Sequence, residues 1–204
     1  MRNQVKIIGV TGGIGAGKSE FSRISECIGA AVIDADVVAR TMIEKSEDMR
    51  VALRKTFGDA IYSENGQLLR RELGRIVFSD PKELNKLNQI TEAPLKFAVE
   101  DNIKRLVSSY SYIILDMAIL FETGLNSLCD HVVLIKAEDK KRTEWIQKNK
   151  SWTVDEIQNR IYSQTPVQLL TNRADTIIVN DGDLASFHEK AKQFFLRFQS
   201  ENPV

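Results

Sequence analysis

Apolar residues fall along this chain in two alternating rhythms. Short unbroken runs rich in Val and Ile cover residues 5–10, 31–33, 112–115, 132–135 and 176–179. They lack the polar alternation of a half-exposed strand, which is the pattern of a parallel sheet covered by helices on both faces. A doubly wound α/β core of five strands is predicted. The stretches between them carry three-to-four spacing. In the last one Leu184, Phe187, Ala191, Phe194, Phe195 and Phe198 form one apolar stripe behind Asp183, placed as an N-cap.

Two of the intervening stretches are too long for simple crossovers. In the first, Ser46 can cap a helix carrying Met49, Val51, Leu53 and Phe57, which Gly58 ends. Ser63-Glu64-Asn65-Gly66 then marks a turn, and further helices are predicted through Leu73 and Phe78, over 81–87 and over 94–107. An inserted helical subdomain is expected at 46–108. The second stretch, 137–172, begins among Lys136, Lys140, Lys141, Arg142, Lys148 and Lys150, and Thr153-Val154-Asp155-Glu156 is a capping box for its next helix. It reads either as a mobile basic lid or as a solvated charged helix. The core is left with 1–45, 109–136 and 173–204.

Length and composition narrow the class. A chain of 204 residues with 43% hydrophobic and 27% charged residues makes one compact domain with insertions and a sizeable core. Lys plus Arg, 28, balances Asp plus Glu, 28, so there is no global positive field of the kind that holds nucleic acid, and an anionic ligand must be met locally. Cys27 and Cys129 stand far apart, without a C-x-x-C pair, which argues against a disulfide framework or a zinc site and fits a reducing cytoplasm. After Met1-Arg2-Asn3-Gln4 the apolar run is too short for a signal peptide, and no later stretch approaches a membrane span. A soluble cytoplasmic protein without nucleic-acid or membrane partners, monomeric or weakly self-associating, is expected.

The sharpest chemical signal is Gly12-Gly13-Ile14-Gly15-Ala16-Gly17-Lys18-Ser19, a full G-x-x-x-x-G-K-S between an apolar strand and a helical run. Its glycines let the backbone wrap closely, so that successive N–H groups and a helix N-terminus face phosphate oxygens. Lys18 would reach the β- and γ-phosphates of ATP, and the Ser19 hydroxyl would ligate Mg²⁺. Asp116 closes the strand Tyr112-Ile113-Ile114-Leu115, where a carboxylate commonly supports that magnesium or simply starts a turn. At the end of the second strand, Asp34 and Asp36 reach the edge where α/β sheets bind ligands. Asp36 reads as a base for an acceptor hydroxyl, with Arg40 one turn on holding an anionic acceptor, or as the N-cap of a helix beginning at Val37 and paired with Arg40. His131 and His188 have no partner histidine and read as structural. Trp145 and Trp152 flank the lid turn and serve packing or adenine stacking.

These motifs resemble dephospho-coenzyme A kinases, and the match runs nearly end to end. It is carried by residues 9–19, by Val32-Ile33-Asp34-Ala35-Asp36 with Ala39-Arg40, by Phe57-Gly58 and by Gly66-Gln67-Leu68-Leu69-Arg70 with Leu73 and Val77-Phe78. Leu87-Asn88, Leu120-Phe121-Glu122, Arg160-Ile161 with Gln164, and Ala174-Asp175 with Asn180 continue it. The resemblance implies a P-loop nucleoside-kinase-like three-layer α/β fold: a five-stranded parallel sheet with a helical acceptor-binding insertion and a lid. It implies ATP and dephospho-coenzyme A as substrates, Asp36 as base, and Asp34, Arg40, Arg70 and Asn88 as acceptor contacts. The chain departs from the family where His-Pro should follow Leu87-Asn88, where Ala118 replaces a proline, where Leu170 replaces a lysine and where Glu20 adjoins Ser19. In the lid, Arg142, Trp145 and Asn149 occupy the places of a Gln-x-x-Arg-x-x-x-Arg pattern, leaving Arg142, Lys148 or Lys150 to substitute as the catalytic cation.

Rival functions use the same P-loop. A GTPase would need Asn-Lys-x-Asp, and Asn149-Lys150-Ser151-Trp152 fails at its last place. Another small-metabolite or nucleotide kinase would differ in residues 46–108. A nucleotide-binding regulatory protein would fit a weakened lid.

Overall fold

The computed structural model describes residues 5–203. The opening residues 1–4, on which the absence of a leader was partly read, lie outside that range. All five expected strands form: β1 (Lys6–Thr11), β2 (Ala31–Asp34), β3 (Tyr112–Asp116), β4 (His131–Lys136) and β5 (Thr176–Val179). Every pairing is parallel, and the order across the sheet is β2-β3-β1-β4-β5. Ile8, Val10, Ile113, Ile114, Leu115, Val133, Leu134 and Ile135 are all fully buried, as continuous apolar runs in a covered parallel sheet require. The register sets Val10 beside Asp116, and Asp116 beside Asp34, so the carboxyl ends of three strands share one edge.

The helices are α1 (Lys18–Cys27), α2 (Ala35–Lys45), α3 (Glu47–Phe57), α4 (Arg70–Ser79), α5 (Pro81–Leu106), α6 (Asp139–Asn149), α7 (Val154–Tyr162), α8 (Val167–Thr171) and α9 (Leu184–Glu201). The chain divides into two compact units, 1–34 with 103–204, and 35–102. In the first, the aromatic stripe of α9 meets α1 and the sheet, with Phe21 stacked on Phe195 at 5.3 Å between ring centres. Burying Phe21, Phe187 and Phe195 contributes about 1.5–3 kcal/mol each. Asp183 caps α9 by accepting from the Ser186 N–H, and Thr153 and Glu156 form the expected capping box of α7.

The helical unit has its own core of Met49, Leu53, Ile61, Tyr62, Leu73 and Val77. Ser46 caps α3 through the Met49 N–H, and Gly58 closes it at φ 81°, a backbone angle that favours glycine. This unit starts at Ala35 and not at 46, because β2 passes directly into α2, whose Met42 and Ile43 pack on the same core. Its other end falls at 102 and not 108. Pro94 does not open a separate helix: α5 runs through it without a break. Leu84, Leu87 and Ile90 pack before the proline, and Leu95 and Val99 are buried after it. That burial outweighs the roughly 3 kcal/mol cost of an interior proline.

Among the described residues no helix is long and apolar enough to cross a membrane. The segment 137–172 is more than a solvated helix. Ile146, Ile157 and Ile161 form a small core that takes in Trp152 and Ile14.

Candidate active site

The Gly-rich loop leaves β1 at Thr11 and enters α1 at Lys18, so the sheet edge and a helix N-terminus meet around it. Gly17 is the N-cap of α1 in a left-handed conformation, φ 110°, and a Cβ there would stand 2.6 Å from Asn180 Nδ2. The close approach requires glycine. Within the loop the Ala16 N–H donates to Gly13 O at 3.1 Å, and Lys18 Nζ donates to Gly12 O at 2.9 Å. Ser19 is exposed at the start of α1.

Three side chains from distant parts of the chain hold the loop from behind. Arg142, only 7% exposed, donates from Nε to Ile14 O at 2.8 Å, from Nη1 to Asp139 at 2.9 Å and from Nη2 to Gln164 Oε1 at 2.9 Å. The same Gln164 oxygen accepts the Ile14 N–H at 2.8 Å. Asn180 Nδ2 donates to Ala16 O at 2.9 Å. Burial pushes the Arg142 guanidinium down from its ordinary value, against the opposing Asp139 carboxylate. A Cβ on Gly13 would fall 2.3 Å from Arg142 Nη2, so this glycine makes room for the guanidinium. Hydrogen bonds to charged groups contribute about 1.5–3 kcal/mol each, enough to fix the cradle before a ligand arrives.

Carboxylates line the neighbouring strand ends. Asp116, 9% exposed, accepts from Ser22 Oγ at 2.7 Å, one helical turn after Ser19. Asp34 is its register partner on β2 and is exposed. Glu20 pairs with Arg23 and with His188 of α9. The Arg23 hydrogen bond, helped by His188 and opposed by burial, holds its carboxyl below the usual range. His131 Nε2 lies 2.8 Å from Thr176 Oγ1 and its ring packs on Phe194 and Phe198, a structural setting. Burial pushes the Cys129 thiol up to about 12, so it is no nucleophile. Leu170, 5% exposed, is buried where a lysine was expected.

The other predicted residues belong to the helical unit. Asp36 lies inside the first turn of α2, which begins at Ala35, so the expectation of Asp36 as N-cap of a helix starting at Val37 is corrected: the helix starts two residues earlier. Asp36, Arg40 and Glu44 follow at i+4 along α2, on one helix face. Arg70, the first residue of α4, donates from Nε to Glu44 Oε1 at 3.1 Å, which brings it to that face. Asn88 is exposed on α5.

Three cations were candidates in the basic segment, and they sit in different surroundings. Arg142 is spent on the loop backbone. Lys150 lines a cavity of about 680 Å³ whose walls include Gly15, Lys18, Ser19, Trp145 and Asn149. Lys148 is exposed and is not among the residues lining that cavity. Sequence reasoning did not pick out Ser22, and it treated Gln164 and Asn180 only as parts of a resemblance. Their roles depend on contacts across 94, 150 and 164 residues of chain, which local pattern does not carry.

A closed G-x-x-x-x-G-K-S cradle on a five-stranded parallel sheet, with carboxylates on the adjoining strand end, defines a P-loop phosphotransferase of the kinase class. A solved Thermus thermophilus structure, 27% identical, superposes with a TM-score of 0.84 over 96% of this chain and 98% of that one. A dephospho-CoA kinase structure from Campylobacter jejuni, 20% identical, shares the fold with a TM-score of 0.72 over 98% and 100%. The family model of dephospho-CoA kinases matches residues 6–186, and the chain belongs to that family. A Carboxydothermus hydrogenoformans dephospho-CoA kinase is 36% identical over 185 residues, 90% of each chain.

Proposed function

We propose that this chain transfers the γ-phosphoryl group of ATP to the ribose 3'-hydroxyl of dephospho-coenzyme A, giving coenzyme A. The observation that carries it is the full phosphate cradle, held from behind by Arg142, Gln164 and Asn180, in a member of the dephospho-CoA kinase family.

In this reading the backbone N–H groups from Gly13 to Ser19 hold the β- and γ-phosphates, and Lys18 leaves Gly12 O to contact the transferring group. Ser19 and Asp116 offer hydroxyl and carboxylate oxygens, with Asp34 in register beside them, and such donors suit magnesium. Magnesium, when bound, neutralises charge on the phosphate oxygens. Asp36 takes the proton from the 3'-hydroxyl, and Arg40, Arg70 and Asn88 bind the acceptor. Arg70 exchanges Glu44 for an acceptor phosphate; both partners are about half exposed, so the pair is cheap to part. Residues 137–172 act as the lid and the helical unit as the acceptor subdomain. The reaction belongs in the cytoplasm, where both free cysteines stay thiols.

The test is direct. Protein, Mg-ATP and dephospho-coenzyme A should yield coenzyme A by chromatography, while nucleosides and nucleoside monophosphates stay unphosphorylated. Phosphorylation of a control acceptor instead would indicate another small-metabolite kinase. ATP left intact with every acceptor would indicate a nucleotide-binding protein without turnover.

A further inference from the structure

We infer that Trp145 is the platform on which the purine base of the phosphoryl donor rests, held by its face and not by its edges. The inference rests on the nucleotide-donor reading above and adds how the donor is recognised.

The first ground is the helix face. Arg142, Trp145 and Asn149 stand at i, i+3 and i+7 of α6, so they point to one side. Arg142 ties that side to Ile14 of the loop, and a Cβ on Gly15 would meet the Ile146 side chain at 2.8 Å. The helix is therefore set at a fixed distance from the cradle, and its indole with it.

The second is room. The cavity of about 680 Å³ beside Lys18 and Ser19 is large enough for a nucleoside. The space next to Arg142 and Gly13 is about 210 Å³ and is bordered by the engaged guanidinium. A triphosphate seated on the loop thus carries its base toward Trp145.

The third is the chemistry of the wall. Three of its polar side chains already serve the protein. Asn149 Nδ2 donates to Trp145 O at 2.8 Å, Asn180 Nδ2 to Ala16 O at 2.9 Å, and Asp183 caps α9. Trp152, the other indole, carries the Arg160 guanidinium 3.9 Å from its ring centre and packs in the small isoleucine core. Trp145 is half-buried, and among the described residues no aromatic or cationic group stacks on it. An indole face binds any purine through its π surface, without reading the exocyclic groups.

Intrinsic tryptophan fluorescence tests this on the intact chain. Mg-ADP should quench the parent and Trp152→Phe, and should lose most of its quench in Trp145→Phe. Inorganic tripolyphosphate with magnesium, which has no base, should bind and compete with Mg-ADP without quenching. In turnover, Trp145→Ala should raise KM for Mg-ATP and Mg-GTP by the same factor, about tenfold or more, with kcat at saturation retained. Trp145→Phe should restore most of the loss. Quenching that survives in Trp145→Phe overturns the platform, as does a KM for ATP unchanged in Trp145→Ala. A KM effect confined to ATP overturns face recognition. Binding of tripolyphosphate with Mg-ADP quench absent from the parent defeats this inference alone. Failure of both ligands to bind removes the nucleotide reading and the platform with it.

Discussion

Asp36 and Arg142 stand within short reach of functional motifs, yet the structure gives them different kinds of work. Arg142 is buried, its nitrogens directed at Ile14 O, Asp139 and Gln164, so it positions the cradle. Asp36 is exposed in the first turn of α2, where a carboxylate is favoured by the helix dipole by about 0.3–1 kcal/mol. Asp36→Asn therefore costs little stability if that is its whole role. As the base it accepts the proton of the 3'-hydroxyl, and the amide does not. The expected outcome is a kcat loss of roughly 10² to 10⁴ with Mg-ATP binding retained and Tm within a few degrees of the parent. Asp34→Asn is the comparison, because Asp34 lies two residues earlier, in register with Asp116 at the end of β2. A normal kcat for Asp36→Asn with loss in Asp34→Asn would move the base to Asp34.

At the scale of elements, the five strands were legible in the chain because a covered parallel strand is apolar throughout, and nothing but burial has to be read. The caps of α3, α7 and α9 were legible for a similar reason, since each places donor and acceptor within three residues. Pro94 and the start of the helical unit were not. Both turn on packing against residues far along the chain, which overrode a proline in one case and drew α2 into the second core in the other. The P-loop was readable as a motif, while the bonds that hold it, to Arg142, Gln164 and Asn180, had to be seen in three dimensions. The same limit left three cations open in α6 and its end. With Arg142 committed and Lys148 exposed outside that cavity, Lys150 is the one of the three that shares a cavity with Lys18. Lys150→Ala is expected to lower kcat by at least roughly tenfold, since a contact made mainly in the transition state appears in kcat. Lys148→Ala should be silent. Parent-like rates for both, and for Arg142→Ala as well, would show that this segment supplies no catalytic cation.

For the molecule as a whole, a formal net charge of zero means that polyanionic substrates must be met by local arrangements, and the proposed function puts one in each compact unit. The donor cradle lies in the sheet unit. Arg40 and Arg70 lie in the helical unit, which has its own core and so can respond to a ligand by itself. A ligand that binds only the folded state stabilises by mass action, about 2.7 kcal/mol at one hundred times Kd. For a chain of this length that corresponds to a rise in Tm of roughly 5–10 °C. Mg-ADP and dephospho-coenzyme A should each produce such a rise alone. Lys18→Ala should lose the Mg-ADP shift and keep the other, because the lysine reaches the cradle at Gly12 O. Arg70→Ala should do the reverse, and its KM should rise for dephospho-coenzyme A more than for ATP. Hydrogen exchange places the effects: Mg-ADP should protect residues 12–19 and, through Arg142 and Gln164, the amides around 142 and 164. Dephospho-coenzyme A should protect α2 and the start of α4, where Arg70 now meets Glu44. If Arg70→Ala weakens both substrates equally, or neither, Arg70 is a surface arginine and the acceptor phosphate is held elsewhere.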